Sequence, residues 1–340
     1  MRTISEIKDI LCQRIKRFDD NEHLSVVLIN GFTTIDEIFD YIMSQPVDEI
    51  LIPILDNNTI TVDVLEDLFG VEYMKTKRVY TTGENTVFGG YTFYAFGDAV
   101  VNVASDAIVY AFNHSVVNAR QNALLYMYND SYFSAVDNVC VYAVDNVSGE
   151  LRGNSKATIR SSRGDIRLYD RSSAVVNDSR NIYLWNNSCC EAYGNSYIRC
   201  MEQSRVEAYD TTTVSAFHDT CVECHNKSTV CPQGEKVQVE LYGYSECNVI
   251  KAYKVTAYEN SIVTISDKCV NLTKLTLYGR SNANVYIMGL DIKCYESSIL
   301  KDDTDSYLNP FDNAIIIWMN KHLIWNTQMD DTGMSCIKYE

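Results

Sequence analysis

Gly90-Tyr-Thr-Phe-Tyr-Ala-Phe-Gly, Asp98-Ala-Val-Val-Asn-Val-Ala-Ser and Asp106-Ala-Ile-Val-Tyr-Ala-Phe-Asn follow one another without a break. They share one eight-residue pattern: Asn, Asp or Gly, a small residue, any residue, Val, any residue, Ala, an aromatic and a turn residue. The pattern runs on through Asn154-Ser-Lys-Ala-Thr-Ile-Arg-Ser, shifts phase by one residue near Ser161, and resumes from Arg163 to Gly234, as in Gln203-Ser-Arg-Val-Glu-Ala-Tyr-Asp. It slips again near Glu235 and around Asn271, and Asn260-Ser-Ile-Val-Thr-Ile-Ser-Asp and Arg280-Ser-Asn-Ala-Asn-Val-Tyr keep the rhythm loosely.

Positions two, four and six of each unit are small or aliphatic, for instance Ala107, Val109 and Ala111, or Ser204, Val206 and Ala208. Strict alternation makes a strand with one buried face, because successive side chains point to opposite sides. Positions three and five face out, and positions seven, eight and one carry turn chemistry. One unit cannot bury its own face, so units must stack. At position five, Tyr94, Tyr110, Tyr126 and Tyr142 alternate with Asn102, Asn118, Ser134 and Glu150, which is a period of sixteen. The sequence therefore predicts a mainly β protein: a parallel β-solenoid, or β-helix, of eight-residue repeats with two strands and sixteen residues per coil. Its two sheets lie about 10 Å apart and its coils about 4.8 Å apart along the axis.

The ends read differently. Residues 1–80 hold helical spacing at Ser5 to Phe18, Thr34 to Ser44 and Thr61 to Phe69, short apolar runs at Leu24 to Ile29 and Glu49 to Leu55, and a lead-in from Val71 to Tyr80. This is a small α/β domain suited to covering the open strand edges at one end of the solenoid, residues 81–298. Residues 299–340, with Ala314-Ile-Ile-Ile-Trp-Met and His322-Leu-Ile-Trp, are apolar enough to cap the other end.

Units such as Gly194-Asn-Ser-Tyr-Ile-Arg-Cys and Gln203-Ser-Arg-Val-Glu-Ala-Tyr-Asp resemble the tandem Gly-Asn-Ser-x-Val-x-Ala-Tyr octapeptides of β-solenoid proteins from bacteriophage and gut bacteria. The resemblance implies architecture, and a composition rich in Asn, Tyr, Asp and Ile suits an AT-rich phage genome. The resemblance implies no activity, because the repeated residues are those that build the coil.

The 29 basic residues against 45 acidic ones give a net charge of -16, which argues against direct nucleic-acid binding and for a protein partner with a basic surface. No apolar signal core opens the chain and no apolar run reaches membrane-spanning length, so the expected location is cytoplasmic, the host cytoplasm if phage-encoded, with no membrane partner. The twelve Cys are irregularly spaced and are expected as reduced thiols. Triplets such as Asn113-His-Ser and Asn226-Lys-Ser match the glycosylation pattern, but Asn and Ser are the turn residues of the repeat.

Candidate sites follow from register. Cys221-Val-Glu-Cys-His matches a haem-attachment motif or half a zinc site, but register puts Cys221 outward and Cys224 inward, above Arg205 and Ala208, so no metal or cofactor is expected. Glu191, Glu207 and Glu223 share an outward row, near the carboxylate spacing of retaining glycosidases, yet as three equivalent acids they read as a solvated stripe relieved by Arg205 or a cation. Tyr94, Tyr110, Tyr126 and Tyr142, with Ile108, Leu124 and Cys140 beside them, form a face too apolar for solvent. It is covered either by the N-terminal domain or by a partner or a second copy. On the opposite sheet Arg167, Tyr183 and Arg199 form a basic and aromatic strip, with Tyr169, Trp185 and Phe217 at the adjoining turns. No catalytic constellation is visible. The expectation is a non-catalytic interaction protein, such as an acidic inhibitor of a host or anti-phage defence protein that mimics nucleic acid. The alternatives are a glycan-binding or glycan-cleaving tailspike-like virion protein and a structural spacer.

Overall fold

In the computed structural model the described residues are 2–18, 29–44, 61–269, 272–287, 290–302, 307–310, 314–318, 323–326 and 335–338. The repeat winds into a parallel β-solenoid with two strands per coil. One fifteen-stranded sheet runs from Val79–Tyr80 to Tyr307–Pro310. The strands of the second sheet alternate with it from Glu84–Val87 to Ile315–Trp318. Tyr94 lies opposite Tyr110, Tyr110 opposite Tyr126 and Tyr126 opposite Tyr142, while Asn102 lies opposite Asn118 in the other sheet. The sixteen-residue period is thus one coil.

The inward positions form one continuous core in which Ala107, Val109, Ala111, Val206 and Ala208 are fully buried. Large and small residues complement one another between coils. Phe133 lies opposite Gly149, where an added Cβ would come within 2.5 Å of the ring.

The turns explain the rest of the octapeptide. The residue after the position-seven aromatic has positive φ, as at Asn113 (58°), Asp170 (60°) and Asn226 (60°), a conformation that Asn, Asp and Gly tolerate best. Ser at position two is buried, and in several units its hydroxyl donates to the carbonyl three residues earlier, Ser172 to Tyr169 at 2.7 Å and Ser228 to His225 at 2.8 Å. Turn carboxylates accept backbone N–H groups from the preceding coil: Asp170 from Gly153 at 3.0 Å, Glu202 from Asn186 at 3.0 Å and Glu259 from Gly243 at 2.7 Å. Part of the acidic excess therefore stitches coils together.

The pairing step lengthens from sixteen to seventeen residues between Thr158 and Val175 and between Val222 and Val239, and to twenty between Val255 and Leu275, at the three slips read from the sequence. A fourth slip, between Leu275 and Ile292, was not read.

The N-terminal helices are Ile4–Phe18, Ile35–Ser44, Val62–Phe69 and Val71–Thr76. Thr3 and Glu6, and Thr34 and Glu37, form reciprocal side-chain caps at the first two. The last helix occupies the expected lead-in. Of the two apolar runs, residues 24–28 and 49–55 lie outside the described residues. Ile7, Leu11, Phe39, Leu68 and Phe69 share a buried cluster with Phe96, Phe112 and Tyr128 of the solenoid, so the helices pack on the first coils. At the far end Ile299–Asp302, Tyr307–Pro310 and Ile315–Trp318 continue the parallel stack. Leu323–Asn326 and Ser335–Lys338 then pair antiparallel, which ends it. No helix among the described residues is long and apolar enough to cross a membrane.

Replacing Gly149 by Val should cost about 1–3 kcal/mol in denaturant unfolding through overpacking. Adding Phe133→Leu should recover part of that loss, and an additive double variant would show that the two sites do not touch.

Candidate functional site

The outer face of the first sheet brings two predicted rows into one line. Along it Tyr142 is followed by Thr158, Val175, Glu191, Glu207 and Glu223, one rung at a time. The tyrosines stack with centroids 5.4, 4.6 and 5.2 Å apart. Tyr94, Tyr110 and Tyr126 pack against the N-terminal helices, and the Tyr94 hydroxyl donates to the Met43 carbonyl at 3.3 Å. Ile108 and Leu124 are half-buried beside them. The protein's own helices thus cover these three rungs, and Tyr142 emerges 45% exposed.

The acidic row has a fourth member, Glu240, opposite Glu223. It escaped the sequence reading because the insertion near Glu235 shifts the frame. Arg205, on the adjacent outward row between Cys189 and Cys221, donates to Glu207 at 3.2 Å and also to Glu223. Phenols fix the carboxylates from the other side: Tyr193 donates to Glu191 at 3.2 Å, Tyr209 to Glu207 at 3.2 Å and Tyr242 to Glu240 at 2.9 Å. Burial and the neighbouring carboxylate raise the pKa of all three phenols, so they stay donors.

Those phenols belong to a stack that the sequence reading missed. Tyr193, Tyr209, His225, Tyr242, Tyr258, Tyr278 and Tyr295 lie face to face with centroids 4.7 to 5.1 Å apart. The signal is an aromatic at position seven of every second unit, the same alternation that Phe96, Phe112 and Tyr128 show in the first coils.

Between Tyr142 and Glu191 the row carries only Thr158 and Val175, and a shallow cavity of about 530 Å³ opens there, bordered also by Cys140, Lys156, Cys189 and Arg205. Cys189 faces this cavity. Its thiol pKa is raised by burial first and by Glu191 next, against the lowering effect of Arg205. Cys190 points the other way, into the core.

The Cys-x-x-Cys-His motif does not converge: Cys221 is exposed and Cys224 fully buried, and the rungs on either side carry Arg205 with Ala208 and Gln238 with Leu241. Among the described residues no group of three or more His, Cys, Asp or Glu could hold a metal ion. Ser115 and Ser228 of the glycosylation-like triplets are buried turn serines.

On the second sheet Arg167, Tyr183 and Arg199 do form one outward row. Its cations have partners within the chain. Arg167 lies 3.4 Å from Asp165 and 3.7 Å from Glu150, and Arg199 sits 5.7 and 5.5 Å from the ring centroids of Tyr183 and Tyr197. Tyr169 and Trp185 stack at 5.0 Å, with the Arg152 guanidinium 4.3 Å from the Tyr169 centroid.

Because the Cys189 pKa is raised, its thiolate fraction at pH 8 should be below that of free cysteine. Alkylation of Cys189 should therefore be slower, with a rate–pH midpoint above that of the free amino acid, and Glu191→Gln should bring the midpoint down. A midpoint at or below that of free cysteine would contradict this account. Comparison with protein-family models, curated proteins and solved structures gave no match, so the role of these faces rests on their own residues.

Proposed function

We propose that this chain is a non-catalytic interaction protein whose recognition surface is the acidic and aromatic face of the first sheet, and that its partner presents a basic surface. The observation that carries the reading is the row Glu191, Glu207, Glu223 and Glu240, repeated at the coil spacing and braced by phenols. The coil spacing is about 4.8 Å, against about one phosphate per 3.4 Å of helix axis for a single DNA strand, so a groove built for nucleic acid would meet a comparable line of negative charge. The net charge of -16 adds long-range attraction to such a partner. The octapeptide resemblance supports a phage source, and the partner is then a host or defence protein.

The tailspike-like alternative rests on the spacing of neighbouring carboxylates, close to the roughly 5–5.5 Å of retaining glycosidases. Against it, Arg205 ties Glu207 to Glu223, and nothing separates a proton donor from a nucleophile. A spacer would need no partner.

The test is capture from host extract, read by mass spectrometry, with the wild type and the triple variant Glu191→Lys, Glu207→Lys, Glu223→Lys. Wild type should retain basic proteins in a salt-sensitive way and the variant should lose them. An identical set on both would sink the reading, and retention of glycans by the wild type would favour the tailspike alternative.

A further inference from the structure

The outer row of the first sheet has a gap between its last ring and its first carboxylate. Tyr142 gives one ring face to Tyr126, with planes 12° apart, so its other face looks along the solenoid axis. The next rung there carries Thr158 and the one after it Val175, which is 43% exposed. Neither is a ring, so the free face of Tyr142 opens into the cavity of about 530 Å³. That size lies within the usual range for ligand pockets, about 300–1,000 Å³. The long stack from Tyr193 to Tyr295 has no such break.

Charge is unevenly placed around the gap. Arg205 engages Glu207 and Glu223 but makes no ion pair with Glu191, whose hydrogen bond comes from the Tyr193 hydroxyl. Glu191 therefore stands at the far end of the cavity as a carboxylate with no cation of its own among the described residues. Lys156 lies at the near end, on the same strand as Thr158, and makes no ion pair among the described residues.

We propose that this gap receives an aromatic side chain from a partner segment that carries Arg or Lys two residues further on. The proposal rests on the reading of this face as a site for a basic partner, and it names the motif the face would select. A ring stacked about 5 Å from Tyr142 takes the place that Thr158 leaves empty. Glu191 lies two rungs beyond, about 10 Å further on. A two-residue step in extended chain covers about 7 Å, and a long basic side chain covers the rest. Lys156 repels a cation placed beside the ring and so sets the direction of the segment. The occupant is a segment of a separate basic partner, chosen by charge: its Arg or Lys meets a carboxylate that makes no ion pair among the described residues.

The probe is the blocked peptide Gly-Trp-Gly-Arg-Gly, measured by calorimetry at low salt beside two controls, one with Trp replaced by Ala and one with Arg replaced by Gln. Wild type should bind the Trp-Arg peptide about tenfold more tightly than the Ala control, and Glu191→Gln should remove the preference for Arg over Gln. Thr158→Tyr, which extends the Tyr stack into the gap, should abolish the preference for Trp while the protein stays folded by thermal unfolding; Val175→Trp is a second way to fill the cavity. Equal binding of the Trp and Ala peptides, or a Trp preference that survives Thr158→Tyr, overturns the proposal. If the Trp and Ala peptides bind equally and both are lost in the triple Glu→Lys variant, the motif fails and the acidic-face reading stands. If no peptide binds, both fail.

Discussion

Every feature of this molecule depends on the parallel backbone hydrogen bonds between successive coils. They hold like positions about 4.8 Å apart whatever side chains stand there. A residue type repeated every sixteen positions therefore becomes a stack, for better or worse. Rings gain, since offset or parallel pairs at this distance contribute about 0.5–1.5 kcal/mol each beyond burial. Asparagines gain too: Asn118 donates to Asn102 at 2.9 Å, and Asn102 to Glu84 at 2.8 Å. Carboxylates lose, and the ways in which the chain manages that loss divide its acids into two kinds.

At the turns the carboxylates of Asp170, Glu202 and Glu259 accept N–H groups from the neighbouring coil. These acids are part of the scaffold, and they account for some of the charge that composition alone assigns to a recognition surface. On the first sheet Glu191, Glu207, Glu223 and Glu240 accept from phenols and from Arg205, which compensates only two of them. Net charge could not make that distinction, and hydrogen-bond partners do.

What was legible in the sequence follows the same logic. Strand alternation and the sixteen-residue period depend only on local spacing, so the coil and its two faces could be read directly. Features that depend on counting across an insertion could not: Glu240 lies one residue out of phase after Glu235. Nor could features that depend on a second domain. Whether Tyr94, Tyr110 and Tyr126 met a partner or the chain's own helices was undecidable from their periodicity, because an apolar face looks the same under either cover. The ring stack from Tyr193 to Tyr295 is present in the spacing, but an aromatic at position seven serves a turn equally well, so spacing alone does not single it out.

The acidic row is the part of the solenoid that stability does not explain. Neighbouring carboxylates about 5 Å apart repel by about 1 kcal/mol even at the dielectric of water, and by more beside a protein surface. A ring or an amide at the same position would contribute stability, as it does elsewhere in this chain. Arg205 relieves Glu207 and Glu223 and leaves Glu191 and Glu240 with phenol donors only. A rigid scaffold that holds uncompensated charge at fixed spacing has already met the ordering cost that a flexible acidic segment would meet on binding. Preorganised repulsion of this kind lowers stability in the free protein and would be relieved by a cationic surface, which is the physical basis of the basic partner we propose.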